Sequence, residues 1–424
     1  MGSANRRRHQ VALASLCLLI SGAAVGLSLD RAISLAQAND PWLHGSQLRE
    51  SALAAEAISA STLPDPILSF GAANLPTDSF DIRQEGMTQT SIGITQRLPR
   101  GDSRLLMSTQ KRQLSQQQAM LRADRQAKVA ATVSQLWLEG YRAEQSMALI
   151  ERTRPLFEQL LTLSRSNYGA GLARAGQQDI ISAELALSRL DDRLLMLQQQ
   201  RDTARDQLSE WLGTKAITAF STDTFRDIRI RDIKDRRLAS ALQAHPAIRA
   251  IEQTIAVAQS DVALRQEQYK AEWAVNAKYA HRADDPLGND RADLFSIGVS
   301  VDLPLFTAKR QDQNLSAAQA RAEANRTDKA LLLRKMMANL KTQLNRLQGI
   351  DERLTLYNSR LLREARKQVS VNLNAYQNDK GDFREVIQAQ IDALNVDIDA
   401  LNLRIDRQKT SVNIAYLLAG EHHE

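Results

Sequence analysis

The sequence predicts a mainly α-helical chain with a small β part, built from one unit used twice. Three observations carry that prediction. In residues 294–303, Phe295, Ile297, Val299, Val301 and Leu303 fall on one face, with Ser296, Gly298, Ser300 and Asp302 on the other. That is the period of a strand with one oily and one wet face. Beyond Pro304, the last proline, positions 333, 337, 340, 344, 347, 351, 354, 358, 361 and 365 step by four and three, and eight of the ten are apolar. This coiled-coil seam predicts one long helix over 309–376, broken only softly at Gly349. The arrangement also recurs. Asn39-Asp40-Pro41 matches Ala244-His245-Pro246, and Gln96-Arg97-Leu98-Pro99 matches Val301-Asp302-Leu303-Pro304, both at an offset of 205 residues. Asp179 to Ala183 matches Glu385 to Ala389 at 206, and Trp211-Leu212-Gly213 matches Leu418-Ala419-Gly420 at 207. A near-constant offset is the mark of an internal duplication.

Residues 1–27 read as a secretory signal peptide: Arg6, Arg7 and Arg8, then the apolar run Val11 to Leu19, then small residues near Ala23 and Gly26. Cys17, the only cysteine, lies inside the apolar run, and Leu16 before it is a poor lipobox residue. If cleavage removes Cys17, disulfides and cysteine metal sites are excluded. The formal charge of +6 falls to +3 without the three arginines (6 − 3). With no lysine-rich run and no basic residues interleaved with aromatics, nucleic acid is not an expected partner. Aromatics at 4% suit extended helical packing better than a compact α/β core.

The repeats span 28–213 and 236–420, with a mid-height connector at 214–235 and a tail at 421–424. Each begins with an amphipathic helix (29–61; 236–270). A strand pair follows, 67–74 with 89–98 and 271–280 with 294–303. Trp273, Val275, Ala277 and Tyr279 share one face of the third strand. Polar, Pro/Gly-bearing loops join each pair. A long outbound helix comes next (103–168; 309–376), then a turn and a return helix (178–212; 382–418). A return helix is about half an outbound one. The return helix of one unit and the first helix of the next are therefore expected to stack end to end beside it.

Ten-residue alternating segments have the length of tilted spans of a membrane β-barrel. Four strands cannot close a barrel, and open edges cannot face lipid. If the strands enter a membrane the chain must oligomerise, and a homotrimer supplies twelve. The alternative is a pair of soluble hairpins packed on the helices, as in a periplasmic coiled-coil scaffold.

Taken together, the doubled plan of helix, strand pair, long helix and return helix resembles the TolC-like family of outer membrane efflux channels, over about residues 29–420. The start Leu29 to Pro41 is similar to that family's usual mature N-terminus. The resemblance implies a trimeric 12-stranded β-barrel continued by a periplasmic α-helical barrel. It implies a passive duct, not an enzyme, without cofactors. Its partners would be a periplasmic adaptor and an inner membrane pump of the proton-driven RND type. The family's hairpin tips close the tunnel and meet the adaptor. By that pattern the first tip comprises Tyr168, Gly171, Leu172, Asp179 and Ala183. The second has Tyr376, Glu385 and Ala389, with Asp379 where glycine is usual and Gly381 two residues later. Asp179 and Glu385 have two readings: six carboxylates around an entrance favouring cations, or acids complementing the dipole of a first turn. Gln388 stands where the family often has a second acid. Pro99 and Pro304 would mark the strand-to-helix boundary, and Trp273 and Tyr279 an interfacial aromatic girdle.

Leu63-Pro-Asp-Pro66, the segment Asn74 to Phe80, and Glu85 to Gln89 with Gln96 to Pro99 resemble the heavy-metal efflux members, which makes metal cations the expected cargo. Drugs or secreted polypeptides are the alternative. No nucleotide loop is credible: Gly169, Gly171 and Gly176 have the wrong spacing and follow a helix. No Ser/His/Asp or Cys/His arrangement has local support. His422 and His423 read as solvated, and Trp137, Tyr141 and Trp211 as core.

Overall fold

The protein, here a computed structural model, is described over residues 26–170, 176–213, 220, 235–378 and 380–420. Helices α1 (Leu29–Asn39) and α2 (Pro41–Ser61) lead to strands β1 (Ile67–Ala73) and β2 (Gln89–Leu98). Helices α3 (Ser103–Gly169) and α4 (Gln177–Leu212) complete the first unit. The second repeats the order: α5 (Asp235–Ala244), α6 (Pro246–Glu267), β3 (Glu272–His281), β4 (Leu294–Asp302), α7 (Gln311–Leu356), α8 (Leu362–Gln377) and α9 (Phe383–Leu417). At 67 residues, α3 is about 100 Å long.

Two expected helices are each cut in two. The 29–61 and 236–270 spans break before Pro41 and Pro246, because the residue ahead of a proline is pushed out of the helical region. Asp40 and His245 sit there in extended geometry and become the N-caps of α2 and α6. The 309–376 span also departs from expectation. Gly349 lies within unbroken helix, and the irregularity is a π-helical turn at Tyr357–Leu361. The seam keeps its phase: Leu333, Met337, Leu340, Leu344, Leu347, Leu354, Leu361 and Ala365 are all buried or half-buried.

The four strands form one antiparallel sheet in chain order, β1-β2-β3-β4. The units therefore meet at the β2–β3 pairing, where Leu98 opposes Trp273 and Ile92 opposes Tyr279. The hairpin loops lie at one end of the sheet, and the four links to helices lie at the other.

Around α3 the helices divide by height. Near the sheet it is flanked by α2, through Lys111–Glu56 and Ser115 Oγ to Glu50 O, and by α6, through Gln117 to Thr254. Farther down it meets α4, through Arg154–Asp191, and α9, through Gln135 Nε2 to Lys409 O. The stacking of short helices runs within a unit, not across units as their lengths implied. Asn39 Nδ2 donates to Leu212 O at 3.3 Å, so the end of α4 abuts the α1–α2 junction. His245 Nε2 donates to Tyr416 O at 2.9 Å, so the end of α9 abuts the α5–α6 junction.

Trp137 is buried at the midpoint of α3, stacked on Tyr141 at 5.1 Å, and its Nε1 donates to Leu27 O. Phe220 meets it edge-on at 5.8 Å. Trp211 is half-buried beneath the Arg125 guanidinium. The reading of these rings as core holds.

Candidate functional site

The sheet register settles which side chains share a face. One row across all four strands is Phe70, Ile92, Tyr279 and Phe295; another is Leu68, Ile94, Ala277 and Ile297. Nearer the helices, Gln96 opposes Val275, which opposes Val299, and Leu98 opposes Trp273, which opposes Val301. This face is almost wholly apolar, and it is bare: Phe70 is 75% exposed, Ile297 70% and Phe295 67%. The opposite face carries Ser69, Ser91, Thr95, Arg97, Asn276, Lys278, Ser296 and Ser300. So large an uncovered apolar surface marks an interaction with lipid or protein. Trp273 and Tyr279 lie on it at opposite ends, about 20 Å apart along the strand.

Both prolines stand at the sheet's helical end, Pro99 directly after β2 and Pro304 two residues after β4. Next to Pro99 is a cluster that sequence reasoning missed. The Arg100 guanidinium donates to the carbonyls of Gln268 and Lys270, each at 3.0 Å. It also pairs with Glu272 at 3.6 Å and with Asp302. Glu267 Oε2 accepts from the Asp102 N–H at 2.8 Å and from Lys270 Nζ at 2.8 Å. These bonds hold the Glu267 carboxyl below its ordinary value: the Lys270 bond is the largest effect and outweighs burial. Gly101, at φ +42°, occupies a left-handed conformation and leaves no room for a Cβ beside Glu267. The cluster ties the first unit's strand-to-helix link to the second unit's helix-to-strand link. Its contacts between the two links join residues 165 to 202 positions apart in sequence, so no local pattern announces it.

The hairpin tips lie at the far end. Gly171, Leu172 and Asp379 fall outside the described residues. Asp179 lies at the third position of α4, where its Oδ2 accepts from the Gly176 N–H at 3.2 Å. That is half of a capping box. Glu385 lies in the first turn of α9 and is exposed; the cap there is Asp382, whose carboxylate accepts from the Arg384 N–H. Asp179 therefore satisfies the N-cap N–H directly, whereas Glu385 stands in the first turn without serving as its cap. Gln388 donates to Asp392 one turn on.

The two tip tyrosines, equivalent by repeat, differ in setting. Tyr376 is buried, with its ring 5.5 Å from Phe383, and its hydroxyl accepts from Asn167 Nδ2 at 3.2 Å. Tyr168 is 50% exposed. The Asn167–Tyr376 bond joins the first hairpin to the second. Gly381 is packed on Ala375 and Tyr376, where an added Cβ would lie 3.0 Å from both Ala375 Cβ and the Tyr376 nitrogen.

Among the described residues no cluster of His, Cys, Asp or Glu has a metal-holding arrangement, and no helix is long and apolar enough to cross a membrane. The second of these facts leaves the exposed sheet untouched.

The profile of the family described as outer membrane efflux protein matches residues 238–420, nearly all of the second unit. No curated protein sequence matches the chain. Among solved structures, the chain is similar to CusC, whose crystal structures concern folding and transmembrane channel formation. That match has 16% identity, covers 92% of this chain and 91% of CusC, and has a TM-score of 0.77. A membrane protein from Pseudomonas aeruginosa matches at 16% identity over 93% and 90% of the two chains, with a TM-score of 0.78. The outer membrane protein VceC of Vibrio cholerae matches at 14% identity over 92% and 96%, with a TM-score of 0.74. These likenesses span both units and show a shared fold.

Proposed function

We propose that this chain, whose residues 238–420 match the outer membrane efflux protein family, is the exit duct of a tripartite efflux system, working as a homotrimer with a periplasmic adaptor and an inner membrane pump. The protein is a passive outer membrane channel with a periplasmic extension, and no catalysis is assigned to it. The observation that carries the proposal is the bare apolar face of the β1–β4 sheet, joined at one end to about 100 Å of helix. An open four-stranded sheet cannot enter lipid, because each unpaired edge group there costs several kcal/mol. Three copies make twelve strands, with polar faces lining the lumen and apolar faces meeting the membrane. Trp273 and Tyr279 then serve as girdle residues. Pro99 and Pro304 mark the boundary between membrane and periplasm, and the Tyr168 and Tyr376 tips form the entrance and the adaptor contact.

The cargo we assign is heavy-metal cations. Support comes from the first strand-pair region, where Leu63 to Pro66 and Asn74 to Phe80 resemble metal-efflux members. The metal would be carried, not held. A deletion strain challenged with copper, silver, cobalt, zinc and cadmium beside dyes and detergents tests this. Selective metal sensitivity is the expected result, and unchanged sensitivity to every metal would remove the assignment in favour of drugs or polypeptides. Membrane fractionation tests the duct itself: a detergent-requiring trimer supports it, and a soluble monomer would leave a periplasmic scaffold.

A further inference from the structure

The β2–α3 link clamps the α6–β3 link inside one chain through Arg100, Gly101 and Glu267. The 205-residue offset carries that junction onto a second set of residues, in which Lys270 becomes Asp65 and Asp302 becomes Arg97. Arg100 becomes Leu305, Gly101 becomes Phe306, Glu267 becomes Thr62, Gln268 becomes Leu63 and Glu272 becomes Ile67. The elements agree with the offset: β2 and β4 start at Gln89 and Leu294, and β1 and β3 start at Ile67 and Glu272. Within one chain this second junction cannot form, since β1 and β4 are the two outer strands of the sheet. Its halves are accordingly bare: Phe306 is 93% exposed, Leu305 73%, Ile67 47% and Leu63 43%.

We propose that Leu305 and Phe306 form an apolar latch against Thr62, Leu63 and Ile67 of a second copy of this chain, beside a β4–β1 seam whose register repeats that of β2–β3. The proposal rests on the trimeric reading above and adds to it the register and the chemistry of the seam. The two halves are complementary. In the chain, a guanidinium faces the Glu272 carboxylate; at the seam, Leu305 would face Ile67. In the chain, glycine faces the long Glu267 side chain, which leaves no space for a Cβ at 101; at the seam, phenylalanine would face the shorter Thr62. At the Arg100–Glu272 contact charge has been exchanged for charge-free surface, and at the Gly101–Glu267 contact volume for volume, while Asp65 and Arg97 keep charge elsewhere in the junction. Two solvated linkers have no reason to change in step. For the register, Thr95 opposes Asn276 and Gln96 opposes Val275. Adding 205 to the first of each pair and subtracting it from the second puts Ser300 opposite Gly71, and Val301 opposite Phe70. The second pair continues the apolar face across the seam without a step.

Disulfide capture tests the register, in the full-length chain carrying Cys17→Ser and purified in detergent. Directly opposed strand residues have Cα separations of about 4.5–5.5 Å, within disulfide reach. Ser300→Cys with Gly71→Cys should therefore yield covalent trimers on non-reducing gels. Ser300→Cys with Ile67→Cys, about 13 Å out of register, should not. A native trimer that crosslinks only through the second pair, or through neither, overturns the register and leaves the trimeric reading standing; a monomer overturns both. For the latch, Phe306→Cys in the trimer should react with a water-soluble maleimide about tenfold more slowly than after dissociation, as a covered thiol does. Phe306→Arg should lower the temperature at which the trimer dissociates. Fast labelling of the intact trimer with an unchanged dissociation temperature overturns the latch. So does slow labelling accompanied by quenching from a lipid-phase spin label, which would make lipid the occupant.

Discussion

Asp40 and His245 perform the same task 205 residues apart. The Asp40 Oδ1 accepts from the Trp42 N–H at 3.0 Å, and the His245 Nδ1 accepts from the Ala247 N–H at 3.1 Å. Each stands before a proline and opens the second segment of a split helix. The duplicated unit has thus kept a cap while changing its chemistry from carboxylate to imidazole. The His245 tautomer follows: Nδ1 accepts, so Nε2 carries the proton donated to Tyr416 O.

That tautomer makes stability pH-dependent. Burial pushes the His245 imidazole below its ordinary value, against the opposing pull of the Tyr416 carbonyl and Asp124. The folded state is the poorer proton acceptor, so stability is full above the unfolded value, about 6.5, and falls as pH drops below it. Thermal unfolding should show a lower midpoint at pH 5.5 than at pH 7.5, and His245→Asn, which keeps a capping acceptor, should flatten that difference. An identical slope in the variant would remove His245 as the cause.

Arg100→Ala should disconnect the two units at the sheet's helical end. It leaves the Gln268 and Lys270 carbonyls without their shared donor and Glu272 without a charge partner. A loss of about 2–3 kcal/mol is expected, measurable as a lower trimer dissociation temperature in detergent. Arg100→Lys should recover only part of it, because a point charge cannot donate to two carbonyls in the guanidinium's fixed fork.

Ile297 and Ser296 are neighbours on opposite faces of β4, so arginine tells the faces apart. Ile297→Arg should cost about 2–4 kcal/mol in lipid near mid-membrane, and should reduce the amount of protein recovered in outer membranes. Ser296→Arg should be tolerated there and shift single-channel conductance instead. Equal effects at both sites would count against a lipid-facing apolar surface.

The Asn167–Tyr376 bond is the described polar link between the two hairpin tips. If the tips gate the tunnel, Tyr376→Phe with Asn167→Ala should raise conductance in planar bilayers while leaving the ring packing on Phe383 in place. The conductance of Tyr168→Phe, whose ring is exposed, is expected to match wild type.

Asp179→Asn retains an acceptor for the Gly176 N–H, so it removes charge without removing the cap. Combined with Glu385→Gln, it should lower cation selectivity measured from reversal potentials. Unchanged selectivity would leave both acids as helix-terminus residues alone.

Much of this protein is fixed by local pattern. Alternation in 294–303 sets a two-faced strand, because side chains in a strand point to opposite faces at period two. The four-and-three spacing after Pro304 sets a long helix whose seam must be covered. The recurrence at 205 residues makes whatever one unit does available to the other. These are properties of residues near one another along the chain. What depends on distant partners was decided only in three dimensions. Arg100 looks like an ordinary loop arginine until folding carries the 268–272 carbonyls and carboxylate to it. Tyr168 and Tyr376 read alike, yet only one is covered, because Phe383 and Asn167 reach one side of the tip pair. The stacking of α4 under α1–α2, rather than α6, follows from the Asn39–Leu212 contact; helix lengths alone permit either. Periodicity tells each residue which way to face, and only the packed chain tells it what it will meet.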